Sequence, residues 1–344
     1  MARKVSIQKR LEAIAARLEP GIQQAFIDAM RASVTALELR TFIDRLSEGD
    51  IEGAISLIEV DEGALSPMIE QIRQSYSEAG NEAAGDIPKL QDRTGRQVVI
   101  RFNMRSPRAE QWLAEMSSRM VTEIRAEQRQ MIRANLTEGM VDGRNPRNVA
   151  LDLVGRINKV TGRREGGVIG LTRQQAQWVA NAREELSGGP DQLATFLGRC
   201  GRDRRFDRTI TAAMREGRAL SVTQVNRISG RYADRLLQLR GETIARTEML
   251  GALNSASKEA FDQALDTGIV REEQVTKTWR SAGDGRVRES HQRLNRETVG
   301  HNERFSNGLL YPHEPGAPAR EVIQCRCIAS RRIDFLAGFR AQGD

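Results

Sequence analysis

The stretch "TWRSAGDGRVRESHQRLN", residues 278–295, places Trp279, Asp284, Arg286, Arg288 and His291 around two glycines, and further on "EVIQCRC" sets Cys325 and Cys327 about one arginine. These residue types suit three kinds of chemistry. Thiolates and imidazoles are soft donors of the sort that hold a structural zinc, and His313 or His301 would complete a four-donor set with His291, Cys325 and Cys327. A thiol beside an imidazole, with Asp284 behind it, would make a nucleophile and its base; a histidine pair with an aspartate would instead hold a metal for phosphodiester chemistry. The third reading is a framework. Asp284 between Gly283 and Gly285 suits a tight turn, with an Asp284–Arg288 pair across it. Arg286 and Arg288 alternate about Val287 as on a strand. His291 then fixes the turn by hydrogen bonding, Trp279 anchors a small core, and Cys325 and Cys327 both point into that core.

Spacing favours the framework. No second carboxylate cluster stands beside the string for a two-metal nuclease site, and nothing has the form of a nucleophile elbow, a phosphate-binding glycine loop or an H-E-x-x-H helix. C-x-C is a less usual zinc spacing than C-x-x-C, and Arg288 is a permanent cation that cannot ligate a metal. The expectation is a non-enzymatic chain with no catalytic residue and no required cofactor. The alternatives are a structural zinc on His291, His313, Cys325 and Cys327, and a metal-dependent nuclease or Cys/His hydrolase.

The elements that must position these residues are mostly helical. With 344 residues, 39% hydrophobic and only 4% aromatic, the composition favours helices. The expected fold class is mainly α, with long helices forming the body and a small α+β C-terminal domain. Residues 1–105 form a helical region, with stripes Val5, Leu11, Ile14, Leu18 and then Phe26, Met30, Val34, Leu37. Ser66 is an N-cap before Pro67, and an extended arm lies near 85–103. Residues 106–268 are the helical body. Ser106 and Pro107 open a long helix, to which Trp112, Met116, Met120, Ile124 and Met131 give a stripe before Gly139. Thr172 with Gln175 and Ser221 with Gln224 read as capping boxes. The helix after Ser221 should bend or break near Gly230 or Gly241. Residues 269–332 form the small domain, with a strand at "VTKTW", and 333–344 are a tail.

The net charge is +7, and twelve arginines face five acids between Arg199 and Arg246. Arg199, Arg202, Arg204, Arg205 and Arg208 are candidate contacts to DNA phosphates; the other reading is a solvated face of interleaved ion pairs. A host-type DNA-binding protein would need a helix-turn-helix pattern, and no convincing one is present. No apolar run is long enough to span a bilayer, and the N-terminus lacks the form of a signal peptide. Three cysteines do not make a disulfide framework, so a reducing compartment is expected.

From about residue 170 onward, the "IARTE" segment (Ile244–Glu248), the W-x-x-x-x-D-x-R-x-R-x-x-H string and the terminal C-R-C follow in a definite order. This order resembles the minor head protein, or head-morphogenesis, family of tailed bacteriophages typified by protein F of phage Mu. The likeness covers roughly the C-terminal half. It departs at Asn295, where many relatives have Gly, and at Arg288, where a branch of the family has Cys in a C-x-x-C version of the string. The resemblance implies a structural virion component that joins the procapsid with the portal protein, alongside capsid and scaffold proteins. It would contact packaged double-stranded DNA without sequence preference, sit inside the head near the portal vertex, and assemble in host cytoplasm with no membrane required. Some relatives carry toxin domains after the C-R-C; the seventeen residues 328–344 are too few for one.

Overall fold

The computed structural model describes residues 5–35, 39–91, 94–335 and 337. Its helices, in chain order, are α1 (Ile7–Thr35), α2 (Leu39–Ser47), α3 (Ile51–Ser56), α4 (Ser66–Ala84), α5 (Pro107–Val141) and α6 (Pro146–Val154). They continue with α7 (Arg173–Ser187), α8 (Pro190–Leu197), α9 (Asp207–Arg215), α10 (Val222–Asp266), α11 (Glu289–Arg293) and α12 (Ala319–Val322). Strands are short: β1 (Leu90–Gln91) with β2 (Gln97–Val98), β3 (Arg156–Ile157) with β4 (Arg164–Glu165), then β5 (Val275–Arg280), β6 (Thr298–Gly300) and β7 (Ile328–Ile333). The fold is mainly α with a small α+β C-terminal part, as the composition led us to expect. Leu37 and the tail segment 338–344 lie outside the described residues.

The chain forms two compact units, each drawn from separate stretches. One comprises Met1–Gln23, Pro67–Ser117 and Glu242–Asp344; the other comprises Gln24–Ser66 and Ser118–Gly241.

In the first unit, β5 lies between β6 and β7, antiparallel to both, with Trp279 opposite Ala329 and Thr278 opposite Thr298. Its side chains alternate: Val275, Lys277 and Trp279 are buried, while Thr276, Thr278 and Arg280 are half-buried on the other face. That period of two is what a sheet covered on one side requires. Below Trp279 a core of Leu294, Phe305, Leu309, Tyr311, Cys325, Cys327 and Ala329 closes up. Trp279 meets Phe305 edge-on, with ring centroids 5.1 Å apart. A second core joins Ala83, Ile87 and Leu90 to Phe261, Ala264, Val270 and Val275. On α10 the buried alanines Ala252, Ala256, Ala260 and Ala264 recur every fourth residue, so one narrow face admits close neighbours. The expected arm near 85–103 contains the hairpin of β1 and β2, and Phe102 lies over Gly80, whose missing Cβ leaves the ring its place.

In the second unit, α7 packs on α8, α8 on α9, and α2 on α3 and α6. The Thr172–Gln175 capping box opens α7, with both reciprocal bonds made, and Ser221 with Gln224 opens α10 in the same way. Two local expectations are corrected, at the start of α4 and within α10. Ser66 does not cap α4 from outside, because a 3-10 turn at Glu62–Leu65, capped by Asp61 at 2.8 Å, runs straight into the helix. α5 runs through Gly139 to Val141, and the space a Cβ would take at Gly139 is filled by Val149. α10 does not break at Gly230 or Gly241; Gly230 lies against Gly166, and that backbone contact is what the glycine serves.

Candidate metal centre

The "IARTE" stretch of α10 and the double cysteine are parts of one construction. Gln324, directly before Cys325, holds the left-handed conformation at φ +59°. A side chain there is uncomfortable without support. Support comes from α10: Gln324 Nε2 donates to Thr243 Oγ1 at 2.7 Å, and Arg246 donates to Gln324 Oε1. Arg246 is itself fixed by Glu19 at 2.7 Å and Glu242 at 2.9 Å. About two turns further along α10, Asn254 clamps the next residues: its Nδ2 donates to the Cys327 carbonyl at 3.2 Å and its Oδ1 accepts from Ala329 N–H at 2.9 Å. The helix thus sets both the turn before Cys325 and the start of β7 after Cys327.

Held this way, the thiols converge on His291. Cys325 Sγ is 3.4 Å and Cys327 Sγ 3.5 Å from His291 Nδ1, and all three groups are at most 2% exposed. The three donor atoms lie within 4.8 Å of one another. On the far side of the ring, His291 Nε2–H donates to Glu321 Oε2 at 2.8 Å, which leaves Nδ1 as the nitrogen facing the sulfurs. Trp279 abuts the ring edge-on at 5.2 Å. A cavity of about 10 Å³, lined by all three donors with Arg288 and Arg326, adjoins the cluster.

The electrostatics follow from this packing. The Cys325 thiol is driven down by the hydrogen bond from Cys327, opposed by burial and helped by His291. The Cys327 thiol is driven up, chiefly because it is the donor to Cys325, and further by burial. Burial opposes a charge on His291, yet Cys325 and Glu321 together raise its pKa. Two thiols and an imidazole backed by a carboxylate are therefore packed together in a buried cluster.

This donor set fits a zinc ion. Zinc bonds to sulfur and to imidazole nitrogen, set at the tetrahedral angle, separate the two donors by about 3.6 Å; the two observed S···N separations are close to that. A carboxylate on the remote imidazole N–H is the usual support of a ligating histidine. His291, Cys325 and Cys327 would supply three of the four donors of a tetrahedral site. His313 does not join them: its Nε2–H donates to the Cys325 carbonyl at 2.9 Å. His301 is bound to Asp262 at 2.6 Å.

Elsewhere in the string the structure differs from the sequence reading at two points. Residues 281–288 form a turn and not a strand, with Asp284 Oδ1 accepting from Arg286 N–H at 3.1 Å. Asp284 pairs with Arg326 at 2.6 Å and not with Arg288, which donates to the Ile323 carbonyl. Asp284 is thus no third member behind His291; Glu321 holds that position. Among the arginines picked out for DNA, Arg199 forks onto Glu185, Arg202 onto Asp207 and Arg205 onto Asp203, while Arg204 and Arg208 are exposed.

Residues 205–330 match the family described as Phage Mu protein F like protein. The match takes in the "IARTE" turn, the tryptophan–histidine string and the double cysteine, the features through which α10 builds the cluster. The resemblance read from the sequence is shown for this segment, and the family is one of phage head morphogenesis. No curated protein and no solved structure matches the chain. No helix among the described residues is long and apolar enough to cross a membrane.

Sequence reasoning passed over Glu321, Asn254, Gln324 and Lys277. Only Glu321 left a local trace, as a carboxylate four residues before Cys325.

Proposed function

We propose that this chain is a structural, non-catalytic component of a tailed-phage head that joins the procapsid with the portal protein and lies against packaged DNA near the portal vertex. It would enter the assembling head, with capsid and scaffold proteins, in host cytoplasm. The observation that carries this reading is the match of residues 205–330, because its motifs fold together into one interlocked framework. A structural role is further supported by the sealing of the Cys–His cluster: the adjoining cavity, about 10 Å³, has room for roughly one water and for no substrate. The test is mass spectrometry of purified procapsids and virions, with a pull-down on the portal protein. The chain should appear at fixed low copy number and be retained by portal; its absence from both particles would overturn the reading.

A second reading concerns the cluster. The convergence of His291 Nδ1, Cys325 Sγ and Cys327 Sγ, with Glu321 behind the ring, favours a structural zinc there. Zinc would close the fold of the C-terminal part, and chemistry on a substrate is not asked of it. Metal analysis of the purified chain tests this directly.

A further inference from the structure

Asp152, on α6, carries three guanidinium groups. Its Oδ1 lies 2.9 Å from Arg156 Nη2 and 2.9 Å from Arg183 Nη2, and its Oδ2 accepts from Arg144. Elsewhere on this chain the arginines are matched with carboxylates more evenly: Arg199 has Glu185, Arg202 has Asp207, and Arg205 has Asp203. Here one negative charge serves three permanent cations, which leaves an excess of two positive charges in one place.

The place is concave. Arg144, Arg156, Arg183, Asn145 and Asn226 line a pocket of about 270 Å³ around Asp152. The groups are positioned in advance, because Arg183 Nη1 also donates to Asn226 Oδ1 at 2.6 Å, and Asn145 is occupied in capping α6 through Arg147 N–H at 2.9 Å. Arg183 is the least exposed of the three. Burial lowers its pKa, and Arg156 and Arg144 add to that. A crowded set of cations with one counterion gains most from a second anion. Planar forks of N–H donors fit tetrahedral oxyanions in particular.

We infer that this pocket is a phosphate-binding site, in which Arg144, Arg156 and Arg183 grip the oxygens of one phosphate group while Asp152 holds the three guanidiniums apart. The phosphate belongs either to a nucleic-acid backbone or to a free phosphate or pyrophosphate ion. The site stands on its own geometry, whether or not the chain is a head protein.

The experiment uses the full chain. Duplex DNA of arbitrary sequence is titrated by fluorescence anisotropy at several KCl concentrations, and thermal shift is recorded with inorganic phosphate and with pyrophosphate against chloride at equal ionic strength. Three variants accompany the wild type: Arg144→Gln/Arg156→Gln, the single Arg144→Gln at the most exposed of the three, and Asp152→Asn. If the phosphate is that of a backbone, the double variant lowers the slope of log affinity against log salt by about two, and the single by about one. If it is a free ion, phosphate or pyrophosphate raises the wild-type Tm and the shift shrinks in both arginine variants. Asp152→Asn, which removes the competing carboxylate, strengthens whichever response is seen. The inference is overturned if neither DNA nor either ion binds the wild type. It is equally overturned if Arg144→Gln, folded as the wild type is, responds to all three ligands as the wild type does.

Discussion

Gln324 donates from its side-chain amide to Thr243 Oγ1 at 2.7 Å, across 81 residues of sequence. That bond, with the one from Arg246, holds a non-glycine residue in the left-handed region immediately before Cys325. The helix motif and the double cysteine therefore depend on each other: α10 supplies the clamp, and the clamp aims the thiols.

Replacing Gln324 separates the two costs. Gln324→Ala loses the anchoring bonds and keeps an unfavourable φ, and should destabilise the chain by about 1–2 kcal/mol. Gln324→Gly loses the same bonds but adopts the φ freely, and should be the milder change. Urea unfolding of both gives the order. Equal losses would show that the clamp does not serve the backbone conformation.

The donor cluster makes a compositional prediction. Chain purified without chelator should carry about one zinc, by elemental analysis, and chelation should lower its Tm. His291→Ala, Cys325→Ser and Cys327→Ser should each lose the metal. Glu321→Gln should retain it with affinity reduced roughly 10–100-fold, since the carboxylate orients the ring without touching the ion. A chain that stays metal-free with zinc supplied, and whose Tm ignores zinc, would falsify the metal reading.

What could be read from sequence divides along a physical line. Capping boxes at Thr172 and Ser221, the strand at Val275–Arg280 and the burial of Trp279 were legible, because each is written in residues a few positions apart. The cysteines were legible as a core pair because extended residues two apart share a face. Partner choice was not. Whether Asp284 takes Arg288 or Arg326 depends on how the C-R-C segment returns to the turn, and α10 decides that through Asn254 and Gln324. Glycine in α10 misled for the same reason: its local cost at Gly230 is real, but contact with Gly166 outweighs it.

Lys277 predicts a pH dependence. Its side chain is fully buried on β5, with Nζ donating to the His301 carbonyl at 2.8 Å and lying 5.3 Å from the Phe305 ring. Burial, with Arg331 and Lys258 nearby, pushes its pKa down from 10.5 to about 7. Between those values the unfolded chain binds the proton and the folded chain does not, so this group makes stability rise with pH from about 7 to 10.5. Below that window the full penalty of a buried ammonium is present. Lys277→Met removes the group, so the stability of the variant relative to wild type, followed by urea unfolding at several pH values, should rise as pH falls through the window. A difference independent of pH would mean that Lys277 titrates alike in both states.

The contact between Gly166 and Gly230 gives the sharpest packing test. Gly166 sits at φ +74°, and a Cβ there would stand 2.5 Å from Gly230 Cα. The obstacle is main chain, which cannot swing aside as a side-chain tip can. The hairpin of β3 and β4 and the N-terminal part of α10 would have to separate, and Gly166 N–H would lose its 3.0 Å bond to Asp234 Oδ1. Asp234, whose pKa burial already raises, would then be left with one partner fewer. Gly166→Ala combines a disfavoured φ with this backbone collision, each costing about 1 kcal/mol or more, and should lower stability by about 2–4 kcal/mol. Gly162→Ala is the control: it also has positive φ, at +67°, but a Cβ there meets nothing within 4 Å. Thermal unfolding should show a much smaller loss for Gly162→Ala, and the gap between the two measures the contact itself. If the two variants melt together, only the backbone angle matters at Gly166 and the close approach contributes nothing.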